Sequence, residues 1–381
     1  MAEIKNLKKV AQRIRQAIKK KEDIILYGDA DLDGMSSVVV LKEAIANLGG
    51  GVKSIYFPDR EVEGYGLNEQ ALDHLKQYLP ALIITLDCGI SNFNEIKLAR
   101  KMGFDVIIVD HHKTLKKMPP ASLIVNPNQK GDKYPFKEMA ASGVTFRLVE
   151  ALLEDKLKPS LRNNLLELVA LATISDMVPK QDDNLEFLGD GLISLKDTLR
   201  PGLKAFWQLL PEGKDDLHQF IQKVISACHS GSSKDHLNEG YLILTSRSEK
   251  QALELAESLL EKSKVRQARI NQIVEDTQEK ALRKNDSSLI FEGEEDWPTL
   301  MLGPAASKLC RTFKKPIFLY NNRGGVCQGG VRTPKGVDSV RAMMKCSKNL
   351  ETFGGHPQAS GFRVKAEHLE DFEKCLVKYF K

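Results

Sequence analysis

Three apolar runs in this sequence stop at acids. Asp29, Asp31 and Asp33 follow the run ILYG, Asp87 closes IITL, and Asp110, His111 and His112 close VIIV. In an open parallel α/β sheet, ligands gather outside the carboxyl ends of the strands, so these groups are expected to converge in one crevice. Crowded carboxylates raise one another's pKa, whereas divalent cations relieve the repulsion and take their oxygens as hard ligands. Carboxylate mixed with imidazole suits manganese, and magnesium or zinc more loosely; calcium rarely recruits histidine. Two ions sharing one carboxylate can activate a water and stabilise the leaving oxygen of a phosphoester. Taken singly, a strand-end Asp is more often a turn residue or helix N-cap, and His111 alone could be a satisfied core histidine. Taken together, they would crowd unpaired charge unless cations joined them.

The elements that must position these groups are legible. The runs DIILYGD, SIYFPD, ALIITLD and DVIIVDHH alternate with helical patterns over Ser36 to Leu48 and Asn92 to Lys101. Two further helices follow, over Ala140 to Leu153 and Leu161 to Ile174. That order predicts an α/β fold with a mostly parallel sheet and helices on both faces. A first domain is expected over 1–200 and a helical connector over 201–285. The connector ends in an unbroken helix from about 248 to 283, which would span about 50 Å. A smaller α/β domain is expected over 286–381, with strands at SLIFE, PIFLY and GGVRT and an amphipathic helix over Leu369 to Tyr379.

At 381 residues and 42% hydrophobic, the chain can bury a substantial core. No run of about eighteen apolar residues occurs, and the N-terminus reads as a basic amphipathic helix rather than a signal peptide, so a cytoplasmic protein without a membrane partner is expected. The six cysteines have no short paired spacing and are expected to be free thiols in a reducing cytosol. A formal charge of +5 permits a polyanionic partner without demanding one.

At the acidic positions the sequence resembles the DHH phosphoesterases. GDADLDG followed by Ser36 and Ser37 is similar to the family's first motif, LDCGIS to its second, VDHH to its third and LATISDMVP to its fourth, which supplies Asp176. The stretches PDREVEGYGLN, IVNPNQKGDKYPFKEMAASGVTF, LRPGLKA and TSRSEKQALELAESL resemble the RecJ group of single-strand-specific exonucleases in particular. FGGHPQASGF looks like the glycine-rich signature of the DHH-associated domain, and GGVRTP like the strand carrying its substrate-binding arginine.

The resemblance implies two divalent metal ions, manganese before magnesium. Asp31 would serve one ion, Asp33, His111 and Asp176 the other, and Asp87 would bridge them, with Asp29 a further ligand or neighbour. It also implies that His112 faces the scissile phosphate or holds a ligand, with Asp87 and Asp110 completing the catalytic group. Ser37, Arg332, Gly354, Gly355 and His356 would bind substrate, the last four from the second domain. The expected activity is 5′ to 3′ degradation of single-stranded DNA, more than RNA, in DNA repair or recombination. A single-strand-binding or repair protein is the expected kind of partner. Hydrolysis of short oligonucleotides or cyclic dinucleotides, and a non-catalytic replication scaffold, are the competing readings.

Two stretches depart from the RecJ pattern. ISACHSGSSKDHLNEGY stands where an arginine- and glycine-rich segment is usual, and DWPTLMLGP where a Trp-His-Pro-Gly segment is usual. An oligonucleotide-binding β-barrel is not expected after the second domain. Lys262, Lys264, Arg266 and Arg269 on the long helix would line a channel for a backbone, or simply a solvated face.

Overall fold

The runs ILYG, LIITL and VIIV lack the in-and-out alternation of a half-exposed strand, so they belong in a sheet covered on both sides. The computed structural model, which describes residues 3–113, 117–211, 216–283 and 288–381, has that architecture. The chain divides into two units, Met1–Ser263 and Lys264–Lys381.

The first unit opens with α1 (Leu7–Lys20), β1 (Asp23–Gly28), α2 (Leu32–Asn47), β2 (Ser54–Tyr56), α3 (Glu69–Leu75), β3 (Ala81–Leu86), α4 (Phe93–Met102), β4 (Asp105–Val109) and β5 (Leu123–Val125). Its sheet is parallel throughout, in the order β2-β1-β3-β4-β5. The chain leaves β1 to one side for β2 and returns on the other for β3, so the switch point opens between the carboxyl ends of β1 and β3. One face packs against α1, α2 and the later helices α5 (Ala141–Leu153) and α6 (Pro159–Ser175), around residues such as Val38, Ile84, Leu148 and Val169. The other face is closed by α3 and α4, around Tyr27, Leu72, Ile83 and Ile96.

The helical side continues through α7 (Asp182–Lys196), α8 (Pro201–Gln208), α9 (Leu217–Cys228), a hairpin of β6 (Ser233–Lys234) and β7 (Leu237–Asn238), α10 (Glu239–Thr245) and α11 (Glu249–Arg283). The division between units falls inside α11, between Ser263 and Lys264. Leu203, Phe206, Phe220, Tyr241 and Leu259, all from the stretch read as a connector, join the first unit's core. The boundary expected at residues 285 and 286 lies outside the described residues.

Helix α2 starts four residues before the expected Ser36 because Asp31 caps it, its Oδ1 accepting from the amides of Asp33 and Gly34 at 3.0 and 3.1 Å. This end is pressed against the turn after β1: a Cβ on Gly34 would lie 2.3 Å from the Asp29 carbonyl oxygen. Gly34→Ala is therefore expected to cost about 3 kcal/mol in urea unfolding, because a backbone atom cannot swing aside as a side chain can. Gly51→Ala, whose added methyl would meet nothing within 4 Å, should unfold like the parent. Equal midpoints for the two variants would refute the tight contact.

The second unit contains β8 (Ile290–Gly293), α12 (Thr299–Phe313), β9 (Ile317–Arg323), β10 (Val326–Arg332), α13 (Ser339–Lys345), β11 (Thr352–His356), β12 (Ala359–Lys365) and α14 (Leu369–Phe380). Its sheet runs β11-β12-β10-β9-β8, antiparallel except for the β8–β9 pair. Helices α13 and α14 cover one face around Phe318, Phe362 and Phe372, and α12 with the second part of α11 covers the other around Ile273, Leu302 and Leu319.

The expectation of six free thiols is corrected here. Cys346 and Cys375 form a disulfide, whereas Cys88, Cys228, Cys310 and Cys327 are free and buried. The pair was invisible in the sequence because 29 residues separate the two, and only the packing of α13 and α14 on one sheet face brings them together. Among the described residues, no helix is long and apolar enough to cross a membrane.

Candidate metal centre

The strand-end acids meet at the switch point. Donor atoms lie within 4.8 Å of one another in each of three sets: Asp29, Asp31 and Asp87; Asp33, His111 and Asp176; and Asp87, His111 and His112. Asp87 belongs to two sets and sits centrally. It holds a left-handed backbone (φ 62°), and its buried Oδ1 accepts no hydrogen bond although His111 Nε2 stands 3.3 Å away. Strain and an unmatched buried acceptor at one residue are the marks of a functional position.

Each donor is aimed by its element. Asp31 ends the turn after β1 and caps α2 with Oδ1, so it is both the N-cap of the ordinary reading and a member of the cluster. Asp33 accepts from the amides of Ala141 and Ser142 at the start of α5, at 2.6 and 2.9 Å, and Asp176 stands at the end of α6. His111 donates Nδ1–H to the Met139 carbonyl at 2.9 Å, which leaves Nε2 facing Asp87 and Asp176. His112 donates Nδ1–H to Asp110 at 2.8 Å. Asn128 and Asn126, after β5, bond the carbonyls of His111 and His112 and pin the backbone of the pair.

The charges are unbalanced in the way a cation would correct. Burial, then repulsion from Asp31, holds Asp33 up at about 6. Burial, then Asp33 and Asp31, holds Asp176 at about 8, and burial with Asp33 and Asp31 carries Asp87 far above the carboxylate range. Asp31 goes the other way: burial opposes its ionisation, but Arg60, His229 and the Gly34 amide outweigh it and bring it to about 2. Buried oxygen donors lacking counter-charge, together with imidazole nitrogens set free by outer hydrogen bonds, fit divalent metal ions.

The raised groups make the metal-free protein respond to pH in an unusual sense. Asp33 and Asp176 retain protons that the unfolded chain releases near pH 4, so the stability they contribute is complete below that pH and is lost as pH rises through about 6 and about 8. His112 acts in the same sense: burial lowers its pKa, but Asp110 outweighs this and holds it at about 9. Between pH 5 and pH 8.5 in chelator, the melting temperature is expected to fall by about 5 °C, and manganese at pH 8.5 to restore it. A midpoint that rises over that window would refute the unbalanced cluster.

Other sequence-derived residues fall differently. Ser37 is 0% exposed, because α2 is buried on every side from Leu32 to Leu41. Asp110 is also 0% exposed, and its carboxylate accepts from the amides of Ile90, His111 and His112 besides the His112 ring. It therefore positions His112 and does not touch a substrate. In the second unit, register sets His356, Ala359 and Arg332 in one row across β11, β12 and β10, with Gly354, Gly361 and Gly330 in the row two residues away. A Cβ on Gly354 would meet nothing within 4 Å, so the edge strand is open there, whereas one on Gly330 would press on the Gly303 backbone at 2.9 Å; Gly355 has a left-handed backbone (φ 124°). Arg332 packs over Gly303 of α12, and its Nε is buried without a hydrogen-bond partner. On the long helix, Lys262 pairs with Glu239 and Arg269 with Asp296, and Arg266 reaches the Leu300 carbonyl.

Three residues near the cluster escaped the sequence reading. Arg60 pairs with Asp29 and Asp31. The Tyr65 hydroxyl donates to the Asp87 carbonyl at 2.9 Å, and His229 Nε2 lies 3.2 Å from Ser175 Oγ, next to Asp176. Arg60 and Tyr65 stand in the quoted stretch PDREVEGYGLN, where a base and an aromatic in a polar, glycine-bearing loop after a strand were the available signal.

A parallel α/β sheet with carboxylates and a DHH triplet at its switch point, followed by a mixed sheet crossed by a row of glycines, defines a class. Residues 23–173 match the DHH family, N-terminal domain, and residues 285–381 match the DHHA1 domain, so the chain pairs a DHH domain with a DHHA1 domain. It is 35% identical over 98% of its length to "Single-stranded-DNA-specific exonuclease RecJ" of Bacillus subtilis strain 168, of which it spans about half (48%). It superposes on "exonuclease RecJ bound to manganese" with a TM-score of 0.79 and 25% identity, covering 99% of this chain and 95% of that one. RecJ of Thermus thermophilus in complex with Mn2+ shares the fold at a TM-score of 0.83 and 24% identity, over 99% of this chain and 55% of that one.

Proposed function

We propose that this chain is a metal-dependent phosphodiesterase that degrades single-stranded DNA from the 5′ end, in DNA repair or recombination. The supporting observation is the convergence of six aspartates and histidines in interlocking donor sets around the strained Asp87. Two divalent ions, manganese before magnesium, would be held by Asp29, Asp31 and Asp87 and by Asp33, His111 and Asp176, with Asp87 shared. When bound, they would supply an activated water and a Lewis acid for the phosphoryl oxygen. The chain's own residues do the rest. Asp110 orients His112 and keeps it cationic, so that its imidazolium can meet phosphate charge. In the second unit, the Arg332 guanidinium and the open edge at Gly354 offer donors suited to phosphate oxygens. Single-stranded DNA is the preferred macromolecule before RNA, the cytoplasm the compartment, and a single-strand-binding or repair protein the partner.

Manganese-dependent digestion of oligonucleotides blocked at either end, beside a dinucleotide, tests this reading. Protection by the 5′ block and faster turnover of the long strand are expected, because remote nucleotides add binding to a cleft built for a strand. Protection by the 3′ block alone would overturn the polarity. Preference for the dinucleotide would make the protein a short-substrate phosphodiesterase. Inertness toward both would favour the non-catalytic scaffold.

A further inference from the structure

The two halves of the cluster are held by different means. Asp33 is fixed by two backbone amides, and among the described residues no lysine or arginine pairs with Asp33 or Asp176. The other half contains a guanidinium. Arg60 donates from Nε to Asp29 Oδ1 at 2.7 Å and from Nη2 both to Asp29 Oδ2 and, at 3.0 Å, to Asp31 Oδ2. Asp31 Oδ1 is already spent on capping α2. Arg60 thus engages both oxygens of Asp29 and the one uncapped oxygen of Asp31, two of the three acids in that donor set.

On the reading that the cluster takes two ions, we infer that Arg60 is a resident counter-cation of the Asp29, Asp31 and Asp87 half, with which the ion entering that half must compete. Among the described residues, no lysine or arginine competes in this way for Asp33 or Asp176, and their half loads first. A forked guanidinium–carboxylate pair away from bulk water is among the stronger polar contacts, and it offsets repulsion that would otherwise burden the metal-free protein. Positioned so, Arg60 makes occupancy of the second half depend on metal concentration without altering the first.

Titration calorimetry with manganese chloride on the full chain at pH 8 tests the inference without recourse to activity. The parent should show two binding events separated by about tenfold or more, the scale of one charge-assisted contact. Arg60→Gln should tighten the weaker event by about fivefold or more, leave the stronger within about twofold, and lower the metal-free melting temperature. Should Arg60→Gln fold poorly, Arg60→Lys, which keeps the charge but not the fork, should still tighten the weaker event. A weaker event that is unmoved or further weakened in both variants, or a single event in the parent, would overturn the proposal. Absence of any manganese binding to the parent would instead overturn the metal reading on which it rests.

Discussion

Asp87→Asn should lower manganese-dependent hydrolysis of single-stranded DNA by about 10³-fold or more, while raising the melting temperature of the metal-free protein. The two effects have one cause. Asp87 is shared between donor sets, so removing its charge weakens both halves of the cluster at once. Without cations, Asp87 buried beside Asp33, Asp31, Asp29 and Asp176 must hold a proton that the unfolded chain releases, and asparagine removes that cost. Asparagine keeps the shape and tolerates the left-handed backbone at φ 62°, so the substitution tests charge rather than folding. Initial rates on a 5′-labelled strand and melting in chelator are the measurements. Retention of a tenth of the parent's activity would remove Asp87 from the centre of the mechanism, and a lowered metal-free midpoint would show that its charge is compensated by other means.

Asp110→Asn should reduce turnover by about 10²-fold with a smaller effect on manganese affinity. Asp110 accepts from three backbone amides and from His112 Nδ1, and burial is outweighed by His112 so that it stays ionised at about 2. An amide in its place turns an N–H toward donors and withdraws the charge that holds His112 at about 9. A buried group acting only as a spacer would leave the histidine untouched. The distinguishing readout is therefore the His112 ring titration by NMR in metal-free protein: its midpoint should move down toward the ordinary histidine range. An unmoved midpoint alongside reduced turnover would assign the defect to backbone disturbance around Ile90 and the DHH triplet.

The chemistry of the site was legible because strand ends are marked twice, once by the end of an apolar run and once by the acid that follows. ILYG, IITL and VIIV could only be central strands, and a parallel sheet has all its carboxyl ends at one edge. The asparagines of IVNPNQ and the start of α5 at MAASG stood inside stretches noticed for their resemblance, yet their task of holding the His111 and His112 backbone and Asp33 is a matter of distances. FGGHPQASGF, noticed only for its resemblance, is two paired strands, since glycine carries too little side-chain signal to announce a strand. Ser37 lies out of reach because α2 is buried on every side from Leu32 to Leu41, which a pair of adjacent serines does not announce. Cys346 and Cys375 were misjudged because a contact between helices 29 residues apart leaves no local trace.

By itself, then, the sequence determined the α/β class, the alternation of strands and helices from β1 to β4, and the acids and imidazoles that gather at one sheet edge. These follow from local hydrophobic period and from residue type, which neighbours in the chain suffice to express. Only the tertiary structure decided that Asp87 lies between two donor sets, that Asp110 serves His112 from the interior, that Ser37 is sealed in the core, and that Arg60 shields Asp29 and Asp31. Those outcomes depend on side chains from distant elements meeting at distances of a few ångströms, where burial and charge set one another's strength, and no period along the chain encodes them.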